Sequence, residues 1–423
     1  MDRIALLIER MNYYRLLGPI VDRALQDGWE VECWHDYGHP QEGAKGSEFP
    51  DIKAAPSFMH GQPEYVAYKG VQELSRLVEV RSPGVVVALR SPLMTLGAPL
   101  SDASVRWVTV MHTWDFFMTN GPEGILCSDV SAICSDYWRS QGLTYFRRKG
   151  PLDLIDEERL RAKMVAVGFP EMDQIRLINR EEVRARWNIP KGRPIVVLLP
   201  YPVASNPNSF WSRRVYSEPS KLKQALSVLV RRRFEYWRHV REGWNDVNLI
   251  RALRQFCDRN GAFLVAKSRL KDPIPAHTRR LSDLCLYDES CYPATILQTL
   301  SIADLCVNFY STAVTEAAYL GVPNLCVTFS PEDVLESGEL DSALFDLFTN
   351  PNEGGVFQFQ GVSRTMTIPE VIKNLPQMSL DEFRIDPLAR SKYVHKFLGY
   401  DDGESSRRVL DAARRLLTEG RAR

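Results

Sequence analysis

The sequence contains no Cys-x-x-Cys pair, no Gly-x-Gly-x-x-Gly, no Gly-Lys-Ser/Thr phosphate loop and no Gly-x-Ser-x-Gly elbow. These absences weigh against zinc ribbons, dinucleotide-dependent dehydrogenases, P-loop enzymes and serine hydrolases. No two aspartates stand two apart, so the Asp-x-Asp clamp with which one class of transferase holds a metal ion is missing as well. Net charge is absent: Lys plus Arg and Asp plus Glu number 53 each, so no global basic field points to nucleic acid. No run of about 18 uncharged apolar residues occurs, as a membrane-spanning helix would need. The apolar run Ile4 to Ile8 is shorter than the hydrophobic core of a secretory leader, roughly 7–15 residues. The expectation is a cytoplasmic protein.

What is present is ordinary for a globular enzyme. The chain has 423 residues, with 44% apolar and 25% charged side chains. That length predicts two domains, since a single core rarely grows beyond about 250–300 residues. The eight cysteines are scattered, several within apolar runs such as Ala303-Asp-Leu-Cys306-Val, and read as free buried thiols. Of the seven histidines only His35 and His39 are close, and Gly38 and Pro40 interrupt any helix that would present them to a metal.

Short apolar runs alternate with amphipathic segments along the chain. Arg3 to Ile8 reads as a buried strand, followed by a helix over Tyr14 to Gln26 that Gly28 stops. Glu30 to Trp34, Val85 to Leu89, Trp107 to Met111, Ala132 to Cys134 and Val165 to Val167 continue the series as strands. Past Gly168-Phe169-Pro170 the pattern changes to a charged, proline-bounded stretch, which places a boundary near 170–192. Pro194 to Leu199 restarts the alternation. Helices over Asp246 to Asn260, Tyr292 to Ser301 and Thr312 to Leu320 are interleaved with strands over Ala262 to Ala266, Leu305 to Phe309 and Asn324 to Thr328. This pattern predicts an α/β protein of two Rossmann-like parallel-sheet domains, over 1–175 and 190–385, that face a central cleft. A helical tail over 386–423, its helix patterned from Ser391 to Leu417, is expected to cross back to the first domain.

The segment from Ala303 to Thr328 is the most informative. A buried strand leads to Tyr310-Ser311-Thr312, and a helix follows that carries Glu316. Hydroxyls at a helix N-terminus cap it, and the free N–H groups beside them suit a phosphate. Glu316 is either a solvated acid or a hydrogen-bond acceptor for a ribose diol. Its neighbours Ala317-Ala318 and Gly321-Val322-Pro323 imply a tightly packed element, in which an unpaired acid is costly. In the first half, Trp107 to Phe117 is a strand running into His112-Thr113-Trp114-Asp115. An imidazole at a strand's carboxyl end suits a general base, or merely caps backbone. Lys267 and Arg269 follow a strand and could neutralise a diphosphate. Glu9, Arg10, Asn12 and Tyr13 follow the first strand and could meet an acceptor, or serve only the turn.

The Ser-Thr–helix with Glu316-Ala-Ala and Gly321-Val-Pro resembles the donor-nucleotide site of GT-B-fold glycosyltransferases. Within them it is similar to the branch of CDP-glycerol glycerophosphotransferases and capsule polysaccharide transferases. Val167-Gly-Phe-Pro170 with Asp173 resembles that branch's Gly-x-Pro-x-x-Asp turn, and Arg180 to Pro200 its linker helix and next strand. Asp288 with Tyr292 resembles the segment before the donor helix, and Leu398-Gly-Tyr-Asp-Asp-Gly403 with Ser405, Ser406 and Arg407 its tail. Two positions differ: His112 precedes Thr113 where the family often has Trp-His-Gly, and Lys267-Ser268-Arg269 stands where it shows Lys-x-His-Pro.

The resemblance implies a metal-independent transferase without a resident cofactor. It would move a sugar or polyol phosphate from a nucleotide-activated donor to a hydroxyl of a surface polysaccharide or glycolipid. Lys267, Arg269, Asp288, Tyr292, Tyr310, Ser311, Thr312 and Glu316 would hold the donor, Glu9, Arg10, Asn12 and Tyr13 the acceptor, and His112, or else Asp115, would be the base. A non-hydrolysing nucleotide-sugar 2-epimerase and a non-catalytic polysaccharide-assembly scaffold are the alternatives. Ser220 to Trp244 carries an apolar stripe among seven Lys and Arg residues, which suits peripheral contact with an anionic membrane, a core helix or a partner helix.

Overall fold

A computed structural model describes residues 2–38, 52–100, 104–113, 115–150, 154–200, 246–268, 274–287, 290–309, 311–328 and 354–421. The basic segment 220–244, together with Arg269, Asp288 and Tyr310, lies outside the described residues. The chain divides into two compact units. One comprises Met1–Ile178, Glu289–Thr295 and Ser391–Arg423, and the other Asn179–Asp288 and Ile296–Arg390.

The first unit is built on a parallel sheet of seven strands: β1 (Arg3–Ile8), β2 (Glu30–Asp36), β3 (Glu64–Tyr68), β4 (Val85–Ala88), β5 (Arg106–Val110), β6 (Val130–Ile133) and β7 (Met164–Ala166). Their order across the sheet is β3-β2-β1-β4-β5-β6-β7. Central strands such as β4 and β6 are buried along their whole length, as expected when helices cover both faces. The helix Tyr14–Gln26 buries Leu17, Ile20, Val21 and Ala24 and ends at Gly28, whose φ of 76° lets the Trp29 N–H reach the Ala24 carbonyl at 3.0 Å.

The second unit repeats the plan with β8 (Ile195–Leu198), β9 (Phe263–Lys267), β10 (Leu284–Leu286), β11 (Leu305–Asn308), β12 (Asn324–Thr328) and β13 (Ser363–Thr367). Its order, β10-β9-β8-β11-β12-β13, is that of the first unit's first six strands, and every pairing in both sheets is parallel. In each sheet the order reverses beside the first strand, between β1 and β4 and between β8 and β11. Crevices at such reversals, off the carboxyl ends of the strands, are where open α/β sheets bind ligands. The second unit's core joins Val196, Leu264, Leu305 and Leu325 of the sheet to Leu253 and Phe256 of the helix Asp246–Arg259 and to Val371 and Phe383.

Three strands, β3, β10 and β13, are additions to the sequence expectation, and all three are edges of their sheets. The tail is not one helix from Ser391 to Leu417 but two, Pro387–Phe397 and Ser405–Arg421. Gly399 breaks it: with φ 83° it lies so close to β6 that a Cβ there would stand 2.3 Å from the Cys134 carbonyl oxygen. The helix expected from Tyr292 begins at Thr295, because the preceding residues are drawn into the first unit. The Tyr292 hydroxyl donates to buried Asp22 at 2.9 Å, and the Ala294 N–H donates to Gln174 at 2.6 Å.

Candidate active site

In the first unit, β1, β4 and β5 deliver charged side chains to the same carboxyl edge. Glu9, directly after β1, is only 7% exposed. It accepts the Tyr13 hydroxyl at 3.3 Å, and its carboxylate is 3.8 Å from Nε of Arg90, which follows β4. Burial, aided by Glu9, pushes the Tyr13 phenol up to about 12, so it stays a hydrogen-bond donor at neutral pH. The Arg90 carbonyl accepts the Trp107 indole N–H of β5 at 3.0 Å, which ties the strand ends together. Next along, Ser91 caps the helix Pro92–Leu96 by accepting from the Met94 N–H, while its own N–H donates to Asn120.

His112 follows β5, and its ring centroid is 6.4 Å from that of Tyr13. Burial lowers its affinity for a proton; the Asp115 carboxylate opposes that, and the charges of Arg90 and Arg10 add to it. The net effect is an imidazole held below its usual value, neutral and able to take a proton. Its Nδ1 is buried with no hydrogen-bond partner among the described residues, and so are Arg10 Nε and Asn12 Oδ1. Asp115 is exposed and accepts from the Thr113 hydroxyl.

The second unit's edge is built differently. Ser311, Thr312 and Glu316 lie where the chain leaves β11, beside the strand-order reversal. Thr312 does not cap the short helix Ala313–Tyr319, although both hydroxyls were expected to. Ser311 does so alone, accepting from the Ala313 N–H at 3.2 Å, while the Asn308 side chain accepts from the Ser311 N–H at 3.4 Å. Thr312 has helical backbone angles, which carry its hydroxyl away from the free N–H groups. Glu316 in the first turn is 2% exposed rather than solvated, and it adds to the burial that holds the Cys306 thiol of β11 above the usual range. Lys267, the last residue of β9, is also buried, and its ammonium donates to the Ser268 carbonyl at 2.7 Å.

Tyr292 belongs to neither edge. Its ring packs on Phe58 and on Gly18, where a Cβ would meet it at 2.8 Å, and burial with Asp22 beside it pushes its phenol far up. It fastens residues 290–295 to the first unit. Two of the resembling motifs likewise meet in a structural joint. Buried Asp173 accepts the Ser405 and Ser406 N–H groups at 3.1 and 2.6 Å, and so caps the helix Ser405–Arg421. Gly168, at φ 92°, gives Ser405 room.

No protein-family model matches this sequence, and no curated protein matches it. Among solved structures the chain is similar to the wall teichoic acid polymerase TagF at a TM-score of 0.57 and 12% identity, with 99% of this chain and 89% of that one aligned. It is similar, at 0.56 and 11%, to UDP-GlcNAc 2-epimerase from Neisseria meningitidis bound to UDP-GlcNAc, over 98% and 100% of the two chains. A third neighbour is MnaA of S. aureus in a structure with UDP, at 0.55 and 12%, over 99% and 97%. The fold is GT-B.

In this GT-B chain Arg90 is the residue that sequence reasoning passed over. Its signal was present: Val85 to Leu89 reads as a buried strand, and the next residue of such a strand stands at the ligand-facing edge. Among the described residues no three His, Cys, Asp or Glu side chains come together as metal ligands would, and no helix is long and apolar enough to cross a membrane.

Proposed function

We propose that the protein is a transferase that moves a sugar or polyol phosphate from a nucleotide-activated donor to a hydroxyl of a surface polysaccharide or glycolipid. The observation that carries this reading is the state of His112. It is an imidazole held below its usual value, with a buried Nδ1 that has no hydrogen-bond partner among the described residues, near Asp115, Arg90 and Arg10 at the strand edge where such sheets take ligands. Deprotonating an acceptor hydroxyl needs such a base. Asp115 beside it would stabilise the imidazolium that forms.

Lys267, Ser311, Thr312 and Glu316 are the described residues assigned to the donor. Helix N–H groups and the ammonium would balance the leaving nucleotide, a diphosphate if a sugar is transferred and a monophosphate if a polyol phosphate is, and Glu316 would accept from the ribose hydroxyls. Structures similar to this one hold UDP or UDP-GlcNAc, which supports a nucleotide as the common ligand.

A second reading, a nucleotide-sugar 2-epimerase, is favoured by the epimerases among the structural neighbours. One experiment separates the two. A thermal-shift panel of UDP, CDP, GDP, CMP and ADP identifies the nucleotide, because a ligand preferring the native state raises the melting point. Incubation with the matching activated donor, with and without a polyol acceptor, then follows. Acceptor-dependent release of nucleotide supports the transferase. A new epimer of UDP-GlcNAc without acceptor supports the second reading, and the absence of any nucleotide effect removes both.

A further inference from the structure

Arg90 lies just past the end of β4, where the sheet ladder no longer supplies partners for the backbone. Backbone groups buried outside a ladder turn to side chains or water, and here both polar atoms of one peptide unit turn to side chains. The Arg90 carbonyl accepts the Trp107 indole N–H at 3.0 Å, and the Ser91 N–H donates to the Asn120 side-chain oxygen at 2.8 Å. A peptide unit is a rigid plane, so a partner on each of its two polar atoms fixes the direction in which Arg90 presents its side chain. Trp107 is fully buried and Asn120 is 3% exposed, which shields the two side chains from water.

Both of these side chains belong to the stretch that carries His112. Trp107 stands in β5, before His112, and Asn120 in the helix Phe116–Cys127 that follows it. The Asn120 amide is held in turn, because its own N–H donates to the Phe116 carbonyl at 3.0 Å. The His112 loop is tied to the same helix by the Phe116 N–H on the Thr113 carbonyl at 3.2 Å and the Thr119 N–H on the Asp115 carbonyl at 2.8 Å. Gly124 lets the Ser91 turn approach this helix, since a Cβ there would stand 2.7 Å from the Ser91 Oγ. The backbone under the guanidinium and the backbone under the imidazole are joined in one bonded frame.

We propose that Trp107 and Asn120 are positioning residues, whose clamp on the Arg90–Ser91 peptide fixes where the Arg90 guanidinium stands relative to the His112 ring. The clamp itself needs no substrate; its effect on turnover rests on the transferase reading. The groups that act on the ring are Asp115 from its own loop, Arg90 from the end of β4, and Arg10 and Tyr13 from the stretch after β1. Glu9 neighbours both Tyr13 and Arg90. Of these groups the clamp addresses Arg90. Like charges oppose each other less as they separate, so a guanidinium released towards solvent stops opposing protonation of His112.

The test is the ring titration of His112, followed by NMR in the full chain with labelled histidine and assigned by the signal that H112Q lacks. N120L, close in size to asparagine, removes the partner of the Ser91 N–H, and W107F removes the indole N–H. Each should move the titration upward, as R90Q does, and N120L in the R90Q background should move it no further than R90Q alone. A merely structural role lowers the melting temperature and leaves the titration in place. Titrations unchanged in N120L and W107F, or a double variant whose shift is the sum of the two single shifts, overturn the clamp. Should N120L fail to fold, W107F and its R90Q double variant decide by the same criteria. In acceptor-dependent nucleotide release, N120L should lower kcat/KM for the acceptor about tenfold and leave KM for the donor unchanged. Coupled titrations in a chain that transfers nothing remove the transferase and keep the clamp. Transfer by a chain whose titrations are uncoupled removes the clamp alone.

Discussion

The carboxyl edge of the first sheet gathers Glu9, Arg10, Arg90 and His112, of which Arg10 and His112 each have a buried atom that nothing in the described protein satisfies. The matching edge of the second sheet gathers Asn308, Ser311, Thr312 and Glu316 around a helix that Ser311 already caps. Both sheets have the same strand order, so topology alone places a ligand at each. The side chains differ in what they can do there. The first edge offers an imidazole of lowered proton affinity, two guanidiniums and a buried carboxylate; the second offers hydroxyls, N–H groups and one buried acid. A common scaffold with two kinds of edge suits a reaction that splits into proton removal and leaving-group binding.

The largest break in that comparison comes from His112. H112Q keeps the ring's approximate size and loses the base, so turnover should fall about 100-fold or more, as measured by nucleotide release in the presence of acceptor. Full activity in that variant moves the base to Asp115. The pH dependence sharpens the same point. Burial, Arg90 and Arg10 lower the imidazole's proton affinity against the opposing Asp115, so the acid limb of kcat/KM should lie below the ordinary imidazole value near 6.5. R90Q removes a positive neighbour and should shift that limb upward; a limb already above 6.5 in wild type contradicts the geometry. Stability carries the same sign. The native state holds the His112 proton more weakly than the unfolded chain, so its contribution is complete above about 6.5 and is lost as pH falls through the lower native value.

A smaller effect separates two adjacent hydroxyls of the second edge. S311A removes the one side-chain cap that the described residues give the helix Ala313–Tyr319 and should cost about 1 kcal/mol in a urea melt. T312A removes no cap and should cost less. Equal losses would return Thr312 to the role the sequence first assigned it.

How much of this was readable beforehand follows the same physical lines. Central strands announce themselves because burial on both faces demands continuous apolar runs, as in Val85 to Leu89 or Leu305 to Phe309. Edge strands do not. β13 reads Ser-Arg-Thr-Met-Thr and β10 spans only Leu284–Leu286, so neither shows a run to find. The break in the tail was visible as Gly399 and Gly403, but its cause, the approach to Cys134, is tertiary. At the site, residues directly after strands, such as Glu9 and His112, were found by position in the chain. The contacts of Tyr292 were not readable for the complementary reason. They are made by Gly18 and Asp22 of one helix and by Phe58 of another segment, and no local pattern encodes a phenol reaching across 270 residues to a carboxylate.

The division of labour between the two edges is tested most directly by calorimetric titration of the cognate nucleoside diphosphate into wild type, H112Q and E316Q. The account predicts that H112Q binds as wild type does while E316Q, having lost a buried carboxylate acceptor, binds at least tenfold more weakly. Affinity that survives in E316Q and collapses in H112Q would contradict it.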